Sequence, residues 1–153
     1  DRIIPTKKIT FTLTCPSLEK IILQGGMQLE VEKLEVDSLS MDLSGGINGH
    51  LLNLKAETLE LQMDGGINLT ISGEVATQKV EVNGAANYEA EDLKTSQTDM
   101  IFNGAGHATI WALDTFNIRM MGVGAVSYYG DPQVTQDIQG LGSIKSLGPK
   151  QAP

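Results

Sequence analysis

The sequence predicts an all-β fold, a single parallel β-solenoid of about seven coils of 18–20 residues, on three observations. A glycine phrase recurs along the chain, alternating apolar and polar residues bracket it, and a column of amides flanks it. The phrase is seen at Gly25-Gly26-Met27-Gln28, Gly45-Gly46-Ile47-Asn48, Gly65-Gly66-Ile67-Asn68, Gly84-Ala85-Ala86-Asn87, Gly104-Ala105-Gly106-His107, Gly122-Val123-Gly124-Ala125 and Gly140-Leu141-Gly142-Ser143. Successive first glycines lie 20, 20, 19, 20, 18 and 18 residues apart. A period in that range, kept over most of a chain, marks coils stacked one on the next.

The strand that precedes each phrase is read from its alternation. Two residues before the first glycine stand Leu23, Leu43, Met63, Val82, Phe102, Met120 and Ile138, all apolar. Four residues before it stand Ile21, Met41, Leu61, Val80, Met100 and Ile118, with Gln136 breaking the run. The residues between them are mainly polar, which is the period of a strand with one face buried. A second strand follows the phrase, with Leu29, Gly49, Leu69, Tyr88, Ala108, Val126 and Ile144 four residues on. Each coil then reads as strand, tight turn, strand and a looser return, such as Glu32-Lys33 or the stretch from Glu74 to Gln78.

The turns fall to Gly25, Gly45, Gly65, Gly84, Gly104, Gly122 and Gly140. A tight reversal often needs positive φ, and stacked turns leave little room for a β-carbon. Beside them run Gln28, Asn48, Asn68, Asn87 and His107 on one flank and Gln24, Ser44, Asp64, Asn83 and Asn103 on the other. Amides repeated at the ~4.8 Å strand spacing can bond along the axis as a ladder, or cap the turns by bonding the backbone. Neither use makes a ligand site.

A chain of 153 residues with 41% apolar content fits one domain, here divided into a cap at 1–17, the solenoid at 18–148 and a tail at 149–153. Aromatics are only 5%, so the core is aliphatic and narrow. The net charge of −8, with 11 Lys and Arg and no basic run beyond Lys7-Lys8, excludes a nucleic-acid partner. Cys15 is alone, which rules out an intramolecular disulfide. No segment approaches the ~18 apolar residues of a membrane helix. Pro5, Pro16, Pro132, Pro149 and Pro153 are placed to blunt the open strand edges at the two ends, and imperfect blunting favours a homo-oligomer.

The chemical inventory points away from catalysis, metal or any cofactor. His50 and His107 stand about three coils apart, too far to share a metal. Asp37, Asp42, Glu57, Glu60, Asp64, Glu74, Glu81, Glu89, Glu91 and Asp92 mostly alternate with apolar residues, as a solvated strand face requires. Gly122-Val123-Gly124 and Gly104-Ala105-Gly106 lack the third glycine and the helix of a nucleotide-binding turn. One surface feature is expected instead. Seven residues after the first glycine stand Trp111, Tyr129 and Leu147 on three successive coils, where earlier coils carry Glu32, Leu52, Ser72 and Glu91. Turned outward, they form an apolar strip for a glycan or a partner chain; a bend before this slot turns them inward instead.

Gly45-Gly46-Ile47-Asn48, Gly65-Gly66-Ile67-Asn68, the run from Gly122 to Tyr128-Tyr129-Gly130-Asp131-Pro132 and the ending Gly140-Leu141-Gly142-Ser143-Ile144 give the chain its likeness to a known family. Over residues 18 to 148 it resembles the bacterial auto-transporter adhesin head GIN domains. The resemblance implies a right-handed parallel β-helix, similar in shape to pectate-lyase-like proteins but without an assigned catalytic set. It also implies an exported or cell-envelope protein of the kind common in Bacteroidetes, with adhesion as its role. The expected function is thus a non-enzymatic binding module for a glycan or surface protein. A carbohydrate-active lyase or hydrolase on the same scaffold is the alternative, and would need paired carboxylates or a basic residue in one groove on adjacent coils. A purely structural spacer is the third reading.

Overall fold

The computed structural model describes residues 9–11 and 19–150. Cys15, Pro5, Pro16, Pro153 and Lys7-Lys8 lie outside the described residues, as does most of the expected cap. The described residues form nine strand segments: β1 (Ile9–Phe11), β2 (Lys20–Gln24), β3 (Met27–Val31), β4 (Leu34–Glu35), β5 (Ser38–Phe102), β6 (Ala105–Met120), β7 (Val123–Tyr129), β8 (Gln133–Ile138) and β9 (Leu141–Ser146). Every pairing is parallel, in the order β1-β3-β5-β6-β7-β9, with β2 and β4 also on β5 and β8 on β6. The result is a β-solenoid of about seven turns.

The glycine period sets the register. Leu23 pairs with Leu43 and Met27 with Ile47, each twenty residues apart. Like side chains therefore stack. The 65-residue β5 winds through several coils without a break, because the corners keep their ladder bonds: Gly25 N donates to Ser44 O at 2.9 Å and Gly46 N to Gly25 O at 3.1 Å.

The predicted loose return is instead a third short face. Leu34, Leu54, Val75 and Leu93 are buried there, with Val36, Ala56 and Thr95 beside them. Leu34 pairs with Leu54, and Val36 N donates to Lys55 O at 3.0 Å. The physical reason is that a return left unpaired would leave backbone groups unsatisfied and the aliphatic column uncovered on one side. Each coil is thus a three-sided turn around one apolar axis, and each fully buried Leu or Ile on that axis contributes ~1.5–3 kcal/mol.

The seven first glycines form one corner, each resting on its predecessor. Two distinct reasons keep side chains out. Gly65 has φ of +125°, whereas Gly84 has ordinary φ but lies so close to the coil below that a β-carbon would come within 2.6 Å of Gly65 N. The amides beside the corner bond along the axis in part: Asn68 Nδ2 donates to Asn48 Oδ1 and Asn103 Nδ2 to Asn83 Oδ1, both at 3.1 Å. Asn87 instead donates to Glu89 Oε1 within its own coil at 3.4 Å.

Among the described residues, three polar side chains are buried in the core: Gln78, Thr95 and Thr98. Gln78 Nε2 donates to the fully buried Tyr88 hydroxyl, and Thr95 Oγ1 lies 2.8 Å from Thr98 Oγ1 and donates to Trp111 O at 2.8 Å. At the C-terminal end the core runs out. Ile138 is 39% exposed although Met120, its ladder partner in the coil before, is fully buried.

Candidate functional site

The three residues of the predicted strip stand on adjacent coils near the C-terminal end. Trp111 pairs with Tyr129 at the edge where β6 meets β7, and Leu147 N donates to Tyr128 O at 2.8 Å just beyond β9. Stacking has brought the two rings together as the spacing requires. They are neither fully outward nor fully inward: both are half-buried, while Leu147 is exposed. Tyr128, one residue back, turns inward and packs against Phe116 with ring centroids 5.5 Å apart.

A change of coil length shapes this place. The period falls from 20 to 18 residues at Gly104, so the longer fourth coil must shed residues to stay in register with the fifth. Ala90 still pairs with Ile110, but the next pair is Lys94 with Trp111. Glu91, Asp92 and Leu93 therefore bulge out of the ladder, with Leu93 tucked into the core and the two acids in solvent. Such bulges re-aim side chains at the edge of a sheet. Here one sets the Glu91 carbonyl and the Asp92 carboxylate beside the aromatic pair.

The tail completes the arrangement. The ladder continues past β9, with Gly130 N donating to Gly148 O at 3.0 Å. Gly148 then turns the chain at φ of +84°, and Lys150 comes back over the strip. Its Nζ lies 5.3 Å from the Trp111 ring centroid and 5.2 Å from that of Tyr129. It also donates to Asp92 Oδ1 at 2.7 Å and to the Glu91 carbonyl. Only 18% of the Lys150 side chain remains exposed. Sequence reasoning did not reach Lys150 or the acids as partners of the strip. The signal available was the loss of two residues per coil at the coil that carries Trp111.

Elsewhere the surface is less organised. His50 is paired in the ladder with Glu30 and His107 with Asn87 and Ala125, both histidines exposed. Among the described residues no group of three His, Cys, Asp or Glu side chains is placed to hold a metal. A shallow groove of about 170 Å³ runs across the outer face of the strand before the glycines, lined by Lys20, Asp42, Glu60, Lys79 and Glu81. Glu81 Oε1 accepts from Asn83 Nδ2 at 3.0 Å. No helix of the described residues is long and apolar enough to cross a membrane.

Comparison with known proteins agrees with this architecture. A crystal structure of a putative adhesin from Bacteroides fragilis superposes with a TM-score of 0.82 at 25% identity, over 86% of this chain. The chain spans 62% of that protein's length. No curated protein matches the chain. The family model described as "Putative auto-transporter adhesin, head GIN domain" matches residues 1–132. With most of its length matched and its fold shared with an adhesin structure, the chain belongs to the auto-transporter adhesin head GIN domain family.

Proposed function

We propose that the chain is a non-enzymatic binding module of the cell surface or the extracellular space, which adheres to a glycan or a surface protein through Trp111, Tyr129 and Leu147. One observation carries the reading: two aromatic rings are stacked in register on adjacent coils, beside an exposed leucine, at a place where the other coils offer Glu32, Leu52 and Ser72. Aromatic rings on a rigid ladder present contact area at low conformational cost. The family's description as an adhesin supports a binding role. The purified chain on glycan and surface-protein arrays is expected to give discrete hits, and Trp111→Ala to weaken them at least ten-fold, about 1.4 kcal/mol. Hits that survive both Trp111→Ala and Tyr129→Ala at full strength would show that the strip is not the docking surface.

The groove lined by Lys20, Asp42, Glu60, Lys79 and Glu81 favours a second reading, because it brings acids and bases of adjacent coils together. On that reading the chain cleaves an acidic or neutral polysaccharide there, with a carboxylate or lysine moving the proton. Shortening of a bound polymer with time, abolished by Glu60→Gln, would establish it in place of simple adhesion.

A further inference from the structure

We propose that Trp111, Tyr129, Asp92 and the Glu91 carbonyl form a binding site for a primary ammonium group, filled in this chain by its own Lys150 and open by exchange to a lysine side chain of a partner polypeptide. The inference rests on the reading of the strip as the docking surface and gives that surface a ligand chemistry.

The parts of the site answer the parts of an ammonium ion. The faces of two aromatic rings carry negative potential and attract a cation within ~6 Å of the centroid, and Lys150 Nζ meets both at 5.3 and 5.2 Å. A carboxylate supplies the counter-charge, with Asp92 Oδ1 at 2.7 Å in a charge-assisted bond. The Glu91 carbonyl takes a second N–H. Those two acceptors need donors, so the site selects a primary ammonium over a quaternary one, which has no N–H to give. The bulge of Glu91, Asp92 and Leu93 exists because the coil length changes at this point, and it lies directly against Trp111.

The resident lysine sits just past the last ladder bond, after the bend at Gly148. That bond is at Gly148, two residues before Lys150, and the side chain reaches the rings from outside the coil. A tethered group of this kind acts at an effective concentration of order mM and lowers the apparent affinity of any free competitor by the fraction of time it occupies the site. Removing it opens the site.

The test is titration of the intact chain with Nα-acetyl-lysine methylamide, read by the fluorescence of Trp111, the one tryptophan in the chain. Lys150→Ala is expected to bind the amine saturably and at least ten-fold more tightly than the unsubstituted chain. Gly148→Ala, which strains the tail at its positive φ without touching the site, is expected to move affinity in the same direction. Adding Asp92→Asn to Lys150→Ala is expected to weaken amine binding at least ten-fold, and tetramethylammonium is expected to bind Lys150→Ala at least ten-fold less well than the lysine derivative. The assignment is overturned if Lys150→Ala shows no saturable response, if it binds no better than the unsubstituted chain, or if tetramethylammonium binds equally well. Array binding that still depends on Trp111 and Tyr129 would then leave the docking surface in place and remove only its ammonium chemistry; the absence of both would remove the two together.

Discussion

Gly65→Ala is expected to lower the unfolding free energy by about 2–6 kcal/mol. Two costs combine. At φ of +125° an L-residue is strained by ~1–3 kcal/mol. The new β-carbon would also stand 3.0 Å from Gly45 N and 2.5 Å from Gly45 O, and because the obstacle is backbone, the coils must part, at ~1–3 kcal/mol more. Gly66→Ala, one residue on, is the control. A β-carbon there meets nothing within 4 Å, so a change below about 1 kcal/mol is expected. Equilibrium unfolding in denaturant measures both. Equal effects at the two positions would show that the corner is not packed coil on coil.

Tyr88→Phe is expected to cost about 1–3 kcal/mol, although it removes a single oxygen. Gln78 Nε2 donates to that oxygen in the core, and Gln78 Oε1 has no hydrogen-bond partner among the described residues. Losing the hydroxyl leaves the whole amide buried and unsatisfied. The double substitution Tyr88→Phe with Gln78→Leu is expected to return to within about 1 kcal/mol of the starting stability, because both polar partners are then gone. Leu39 and Leu59 already fill the equivalent slot in preceding coils. A double variant no better than Tyr88→Phe would refute the pairing. The same hydroxyl gives a pH signature. Burial raises its pKa far above the ordinary 10.0, and the bond from Gln78 acts the other way without offsetting it. The folded chain thus holds the proton more tightly than the unfolded chain, so this contribution is complete below pH 10 and is lost as pH rises above it. Tyr88→Phe should flatten the alkaline limb of the stability profile.

Much of the solenoid was legible because its period is long and its apolar columns are regular. Leu23 to Leu43 and Met27 to Ile47 pair as the glycine spacing requires. The third face was harder to read, since it offers only two inward residues per coil. Leu34 with Val36, or Val75 alone, is too short an alternation to stand out from a loop. Gln78 was hidden for a similar reason: a glutamine in an apparent return looks solvated, and its partner Tyr88 lies on another face of the coil. The positions of Trp111, Tyr129 and Leu147 followed from counting, but the half-buried state of the two rings did not. It depends on a lysine 39 residues after Trp111 and on a bulge created by a two-residue difference in coil length.

We propose that the glycine and amide repeats build the scaffold, while recognition is confined to the strip of Trp111, Tyr129 and Leu147. Binding of array targets by Trp111→Ala and by Asn68→Ala, compared at equal folded fraction, decides between the strip and the amide column. Asn68 bonds Asn48 along the axis far from the strip. At least ten-fold weaker binding is expected for Trp111→Ala, and unchanged binding for Asn68→Ala. Loss of binding in Asn68→Ala with Trp111→Ala unaffected would contradict this proposal and move the site to the amide column.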